Sequence, residues 1–255
     1  MLSLIPLVGI PIVQPGDDLA HLIVEALMRT TEEDIRLCDE DILVVTQKIV
    51  SRAENRFVAL RSVRPSARAR ELAERTGKDA RVIEVMLWDT AEVLRVAPRV
   101  IVVRHRLGFV CANAGVDASN VADPGAEMVL RLPADPDHSA RILRARIGEL
   151  TGATPAVIIS DSHGRPWREG TVGVAIGVAG LAPVQDLRGV PDLFGRLLQI
   201  TTVGFADQIA AAASLVSGQA NEGLPVVLVR GLPYQRSETT SARALLRPPE
   251  LDLFR

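Results

Sequence analysis

Residues 155–180 read PAVIISDSHGRPWREGTVGVAIGVAG, and the order of patterns within them decides the fold class. The four apolar residues at 156–159 mark a buried strand, and 171–178 is a second β-branched run. Between them lies only a polar, glycine-bearing stretch with no helical period. A regular doubly wound sheet places a helix between successive strands, so direct succession here points to an α+β fold of mixed and antiparallel sheets with flanking helices.

Outward from this stretch, strand runs recur in LSLIPLVGI (2–10), DILVVTQKIV (41–50), RVIVVRH (99–105), LLQITTV (197–203) and LPVVLVRG (224–231). Helical patterns fall at 17–29 behind the cap candidates Asp17 and Asp18, at 66–76 behind Ser66, and at 79–96, 137–150 and 205–217. A charged, helix-rich segment at 64–96 and a Pro/Asp-rich connection at 123–139 are candidate seams between two lobes. One domain is expected over 1–235, and the polar residues 236–255 read as a tail, a loop or lid with a loosely held end. No second, fused domain is expected.

Composition narrows the class. The chain has 255 residues, 47% of them apolar, which is ample for a core, and a net charge of −2, which gives no positive field for nucleic acid. The two cysteines, Cys38 and Cys111, form neither a disulfide framework nor a CxxC zinc pair. The apolar N-terminus lacks a basic signal region, and the uncharged run at 170–185 is too short for a bilayer, so a cytoplasmic, membrane-free protein is expected.

Polar residues directly after apolar strands are the candidate chemistry, because such junctions put side chains at a sheet end. The first, GIPIVQPGDDLA, carries Asp17 and Asp18 into a helix start, as caps or beside an anion. The second delivers Gln47, Lys48, Ser51 and Arg52; Lys48 is one of only two lysines and reads either as a phosphate partner or as an edge charge. The third, GFVCANAGVDASNV, sets Asn113, Asp117, Ser119 and Asn120 in a small-residue run, as Asx turns or as oxygen donors to a hard cation. The fourth projects Asp161 and Ser162 from a strand end into a loop with His163, Gly164, Arg165, Trp167 and Arg168, the placement of a metal-binding carboxylate. After a helix stop at Ser217 and Gly218, Gln219, Asn221 and Glu222 form a further polar loop.

Two rival chemistries fall away. Ser162 and His163 are adjacent on extended backbone and point to opposite faces, and no GxSxG is present. Cys111, between Val110 and Ala112, reads as a small buried hydrophobe. Neither GxxxxGK[ST] nor a helix-opening GxGxxG occurs, so a bound nucleotide uses neither common phosphate cradle.

In order along residues 7–233, GIPIVQPGDDLA, DILVVTQKIVSRAE, GFVCANAGVDASNV, IISDSHGRPWREGTVGVAIGVAG and SGQANEGLPVVLVRG together resemble the coenzyme F420-0:γ-glutamyl ligases. The resemblance implies the fold peculiar to that family and an intertwined homodimer. It also implies a ligase that uses GTP and two Mg²⁺ or Mn²⁺ ions, assisted by K⁺. In such enzymes the carboxylate of F420-0 is phosphorylated and then attacked by the amine of L-glutamate, with a second glutamate joined through the γ-carboxylate.

Carried over by position, Asp117 and Asp161 match carboxylates of the first metal, and Ser162 and Gln219 match ligands of the second. Asp117, Asp161 and Lys48 match catalytic groups. GTP contacts match Ile10, Pro11, Ile12 and Val13, then Gln47, Lys48, Arg52 and Asn120, and then Ser217, Gly218, Gln219, Ala220, Asn221, Glu222, Gly223 and Leu224. Gln219 stands where some relatives carry glutamate, so a neutral oxygen replaces a charged ligand and weakens that metal site. A ligase for another acid, or a nucleotide- or deazaflavin-binding protein without turnover, would carry much of the same pattern.

Overall fold

The computed structural model describes residues 1–30, 36–119, 121 and 127–252. In chain order the elements are β1 (Ser3–Pro6), α1 (Leu19–Thr30), β2 (Ile42–Thr46), α2 (Gln47–Ala53), β3 (Phe57–Ala59), α3 (Ala67–Thr76) and α4 (Ala80–Trp88). They continue as β4 (Thr90–Ala97), β5 (Val100–His105), β6 (Val110–Ala112), β7 (Met128–Leu130), α5 (Pro136–Thr151), β8 (Ala156–Arg165) and β9 (Arg168–Leu181). The last are β10 (Gln185–Asp186), β11 (Thr202–Val203), α6 (Phe205–Ser217), β12 (Val226–Arg230) and β13 (Arg236–Ser237).

A mixed six-stranded sheet in the order β1-β12-β2-β8-β9-β13 forms the body. β2 and β8 run parallel, while the other neighbours are antiparallel. The chain is thus α+β. Period-two alternation explains why helices cover both faces. Leu43, Val45, Val157, Ile159, Val226 and Leu228 pack with α1, α2 and α5, whereas Ile42, Val44, Ala156, Ile158, Val227 and Val229 pack with α6.

A bulge rephases β9. Ile159 pairs with Gly177 but Ser160 pairs with Ala175, so Ile176 is the extra residue and packs on the opposite face from Val178. Glycine is required on this strand for close approach: a Cβ at Gly177 would fall inside the Pro136 backbone of α5, and one at Gly173 inside Ala210 of α6. Those glycines serve helix packing rather than a phosphate cradle.

Between α2 and α5 the chain builds a second lobe. β4, β5 and β6 form an antiparallel sheet, β3 pairs with β7, and α3 and α4 pack against them. Leu72, Ile83, Met86, Ile101, Val103 and Cys111 make one apolar cluster there, and Leu60, Val63, Val85 and Val129 another. Ser66 caps α3 by accepting from Ala69 N, as its position predicts.

Several sequence readings change. The helix expected over 79–96 ends at Trp88, and 90–97 is a strand paired with β5. Asp89 is held by Arg131 (Nη2 to Oδ1 2.6 Å), which fixes the break. DILVVTQKIV turns helical at Gln47. Of LLQITTV only Thr202–Val203 is strand.

The loop expected after Ser160 is instead the continuation of β8, turning at Pro166 and Trp167 into β9. The stretch from Tyr234 is tied down: its hydroxyl donates to Asp39 O (2.8 Å), β13 pairs with β9, and Arg144 meets Glu238 (2.7 Å). Among the described residues no helix is long and apolar enough to cross a membrane.

Candidate active site

Topology gathers the candidate segments at one end of the sheet. β2 and β8 are the parallel pair, with Thr46 opposite Ser160, so Gln47 and Lys48 leave β2 beside Asp161 on β8. β12 runs antiparallel to β2, so its incoming loop, 217–225, reaches the same end. β1 runs antiparallel to β12, so its outgoing loop, 10–15, does too. The carboxyl ends of parallel strands are where open sheets place ligands. A cleft of about 1370 Å³ lies there, lined by all these segments and by 111–119 of the second lobe.

Lys48 joins the two lobes across the cleft. Its Nζ lies 2.8 Å from Asp117 Oδ2 and donates to Ser119 O (3.1 Å). Asp117 is held by backbone bonds in both directions with Leu130 (2.8 Å) and by an Asx turn in which Ser119 N and Oγ donate to Oδ1 (3.1 and 2.8 Å). The turn before it runs through left-handed backbone at Asn113, Ala114 and Gly115 (φ 54°, 52° and 64°). Asn113 Oδ1 accepts from Ile101 N (3.2 Å), so this amide anchors the turn to β5.

Asp161 and His163, two apart on β8, share a face, and His163 Nε2 lies 3.0 Å from Asp161 Oδ2. Ser162 points the other way and donates to Gln219 Oε1 (2.7 Å). The serine and histidine do not form a hydrolase pair, as their adjacency predicts. Phe109 tilts against His163 on one side and stacks on His105 on the other. Burial pushes the His105 imidazole down to about 4 and the Cys111 thiol up to about 12, so Cys111 is no nucleophile at neutral pH.

The remaining candidates serve as walls. Gln47 is buried and its amide oxygen accepts from Ser51 Oγ (2.9 Å). Arg52 donates to Val13 O (2.6 Å) and Val121 O (2.9 Å) while lying over Phe57, so it ties the 10–13 loop to the second lobe. Glu222 curls back to accept from Ala220 N (2.8 Å), and these loop amides hold its carboxyl below the ordinary range. Ile10, Pro11, Ile12, Ser217, Gly218, Asn221, Gly223 and Leu224 all line the cleft. Asn120 lies outside the described residues. Asp18 caps α1 by accepting from His21 N (3.2 Å), and Asp17 accepts from Gln14 N (2.7 Å); neither lines the cleft.

Sequence reading missed Asn55, Phe57 and Met128 as cleft residues. Their signal was absent because they reach the cleft only through the lobe's return to the body. It also missed Thr171 and Gly173, which line the cleft because β9 doubles back along Asp161 and Ser162.

The donor set fits a hard dication. Asp117 and Asp161 supply carboxylates, and Ser162 and Gln219 bring two neutral oxygens together. A Lys48 ammonium already rests against Asp117 as a stand-in cation. Among the described residues no three His, Cys, Asp or Glu side chains form a cage. One or two carboxylates completed by substrate phosphates is how Mg²⁺ is usually held.

Comparison with known proteins finds relatives along almost the whole chain. A family model described as F420-0:Gamma-glutamyl ligase matches residues 8–231. The coenzyme F420:L-glutamate ligase of Methanothermobacter thermautotrophicus is 49% identical over 255 residues, 100% of this chain and 99% of that one. Its counterpart from Methanopyrus kandleri is 50% identical over 95% of this chain and 93% of its own. That of Archaeoglobus fulgidus is 43% identical, covering 98% and 95%.

Proposed function

Because the chain belongs to the F420-0:gamma-glutamyl ligase family, we propose that it joins L-glutamate to F420-0 at the expense of GTP, through an acyl phosphate, and then adds a second glutamate through the γ-carboxylate. The observation that carries this reading is the cleft itself. Two carboxylates, a lysine and an oxygen pair meet there, with no protein nucleophile poised among the described residues. Phosphoryl transfer to a substrate carboxylate needs charge compensation and alignment rather than a covalent enzyme intermediate.

The terminal carboxylate of F420-0 attacks the γ-phosphorus, the bond to the β-γ bridging oxygen breaks, and GDP leaves. The glutamate amine then attacks the acyl carbon, loses a proton, and expels phosphate as the amide forms. Asp117 and Asp161 would hold one Mg²⁺ or Mn²⁺ ion and Ser162 and Gln219 a second, and such ions would supply positive charge to offset that of the triphosphate. Lys48 supplies a positive point charge beside it, and K⁺ belongs to the same assignment. The 10–13 loop, Gln47, Arg52 and the 217–224 loop wall the nucleotide in this reading.

The homodimer of this reading has a surface to use. The β10–β11 arm presents Leu193, Phe194 and Ile200 almost wholly exposed (98%, 95% and 87%), the kind of apolar projection that a second copy of the chain covers. The acyl phosphate is the point to test. Incubation with F420-0, GTP, Mn²⁺ and hydroxylamine, without glutamate, yields an F420-0 hydroxamate and GDP; GDP with no hydroxamate contradicts the intermediate.

A further inference from the structure

A second cavity, of about 470 Å³, adjoins the cleft, and His163 is the residue that lines both among those described. It lies along the open edge of β9. β13 covers that edge only at Gly180 and Leu181. Farther back, Val178 N donates to Asp137 Oδ1 (2.9 Å) and Ala175 N to Asp207 Oδ1 (2.9 Å). Asp137 is fully engaged, since Ser241 Oγ (2.6 Å) and Ala242 N (3.0 Å) donate to it as well. Asp207 keeps its Oδ2 without a hydrogen bond among the described residues.

The cationic side of the cavity is equally uncommitted. Arg141 of α5 and Arg243 of the 242–245 turn both line it. Neither guanidinium meets a carboxylate or carbonyl among the described residues, whereas Arg131, Arg144 and Arg230 are each paired with one. Leu107, Phe109 and Leu246 supply apolar wall.

Two guanidiniums without carboxylate partners line this cavity with Asp207 and Asp135, each of which keeps one carboxylate oxygen without a hydrogen bond among the described residues, and the set matches an α-amino dicarboxylate, which carries two carboxylates and an ammonium. We propose that this cavity is the acceptor site for L-glutamate, with Arg141 and Arg243 on its carboxylates and Asp207 on its ammonium, and that His163 is the partition across which the amine meets the activated acid. The assignment rests on the ligase reading above and deepens it. Desolvation raises the Asp207 carboxyl above its ordinary value, a strain that an ammonium ligand relieves. Inorganic phosphate would meet the same two arginines but offers no cation to Asp207 or Asp135, whereas the ammonium of an amino dicarboxylate does.

The test is binding of L-glutamate to the resting full-length protein by saturation-transfer NMR, beside Mn²⁺-GTP binding. R141Q and R243Q each weaken glutamate at least tenfold and leave nucleotide affinity within twofold, which also certifies folding. D207N weakens glutamate similarly but spares glutarate, which has no ammonium. Unchanged glutamate affinity in both arginine variants, no saturable binding by the unsubstituted protein, or equal competition by inorganic phosphate overturns the site. Turnover separates the two readings. Glutamate binding lost in the variants, with no product from F420-0 even in the unsubstituted protein, counts against the ligase and not the cavity. Turnover with an unaltered glutamate KM in both variants counts against the cavity and not the ligase.

Discussion

Asp117 and Asp161 face one cleft from unlike supports. Asp161 sits within a long strand whose preceding residues are fully buried and paired on both sides, by β2 and β9. Asp117 hangs from the second lobe on a left-handed turn, held by an Asx turn, a bridge to Leu130 and the Lys48 ammonium. The two carboxylates therefore depend on different parts of the fold, Asp161 on the pairing of the central sheet and Asp117 on a turn of the second lobe.

The sharpest way to break that comparison is to remove each carboxylate. D161N and D117N each lower kcat about a thousandfold, or ~4 kcal/mol of transition-state stabilisation. D161N leaves the melting temperature near that of the unsubstituted protein, while D117N also loosens the lobe by releasing Lys48. If one variant retains near-full turnover, the shared-site account fails on that side.

Acid separates the supports next. His105 lies in the lobe, is 4% exposed, and titrates near 4 rather than 6.5 because burial disfavours its cation. Between those values the unfolded chain carries the extra proton, so stability is full above about pH 6.5 and falls as pH drops towards 4, by about 3 kcal/mol. Trp88 ends α4 in the lobe and Trp167 lies on the hairpin. In W167F, Trp88 fluorescence therefore reports lobe unfolding over this window. An acid transition confined to pH below 3 contradicts the assignment.

Glycine substitutions contrast the supports more gently. G177A forces α5 away from β9 and costs about 2–3 kcal/mol of global stability, read from denaturant midpoints. G115A strains a φ of 64° and presses Leu132, costing about 1–2 kcal/mol and loosening Asp117 so that kcat falls with it. The smallest effect is S162A, which removes one neutral donor beside Gln219 and raises the Mn²⁺ concentration for half-activity about tenfold, equivalent to ~1.4 kcal/mol.

The body was more legible than the lobe for a physical reason. Apolar alternation in 42–45, 156–159 and 226–229 specifies faces directly, and both helices on α6's and α5's sides show through their periods. In the lobe, AEVLRVA at 91–97 contains good helix formers, and only pairing with β5 makes it a strand. QKIVSRA reads as strand through Ile49 and Val50, yet it winds into α2 because its apolar side packs under the sheet. The polar run 161–165 reads as loop because it lacks apolar alternation, yet it is strand, paired along β9, and its residues 161–164 line the cleft. Asp117 and Asp161 are visible as candidates in the sequence, but the Lys48–Asp117 ion pair across the cleft and the Ser162–Gln219 hydrogen bond are tertiary contacts that no spacing encodes.

The most direct test of the central claim is a single reaction containing purified protein, F420-0, L-glutamate, GTP and Mn²⁺, followed by mass spectrometry of the deazaflavin product and by GDP release. The account predicts products with one and two added glutamyl units, GDP formed in step with them, and neither in D117N or D161N. Tight, metal-dependent GTP binding with no glutamylated product, or full turnover in either variant, contradicts it.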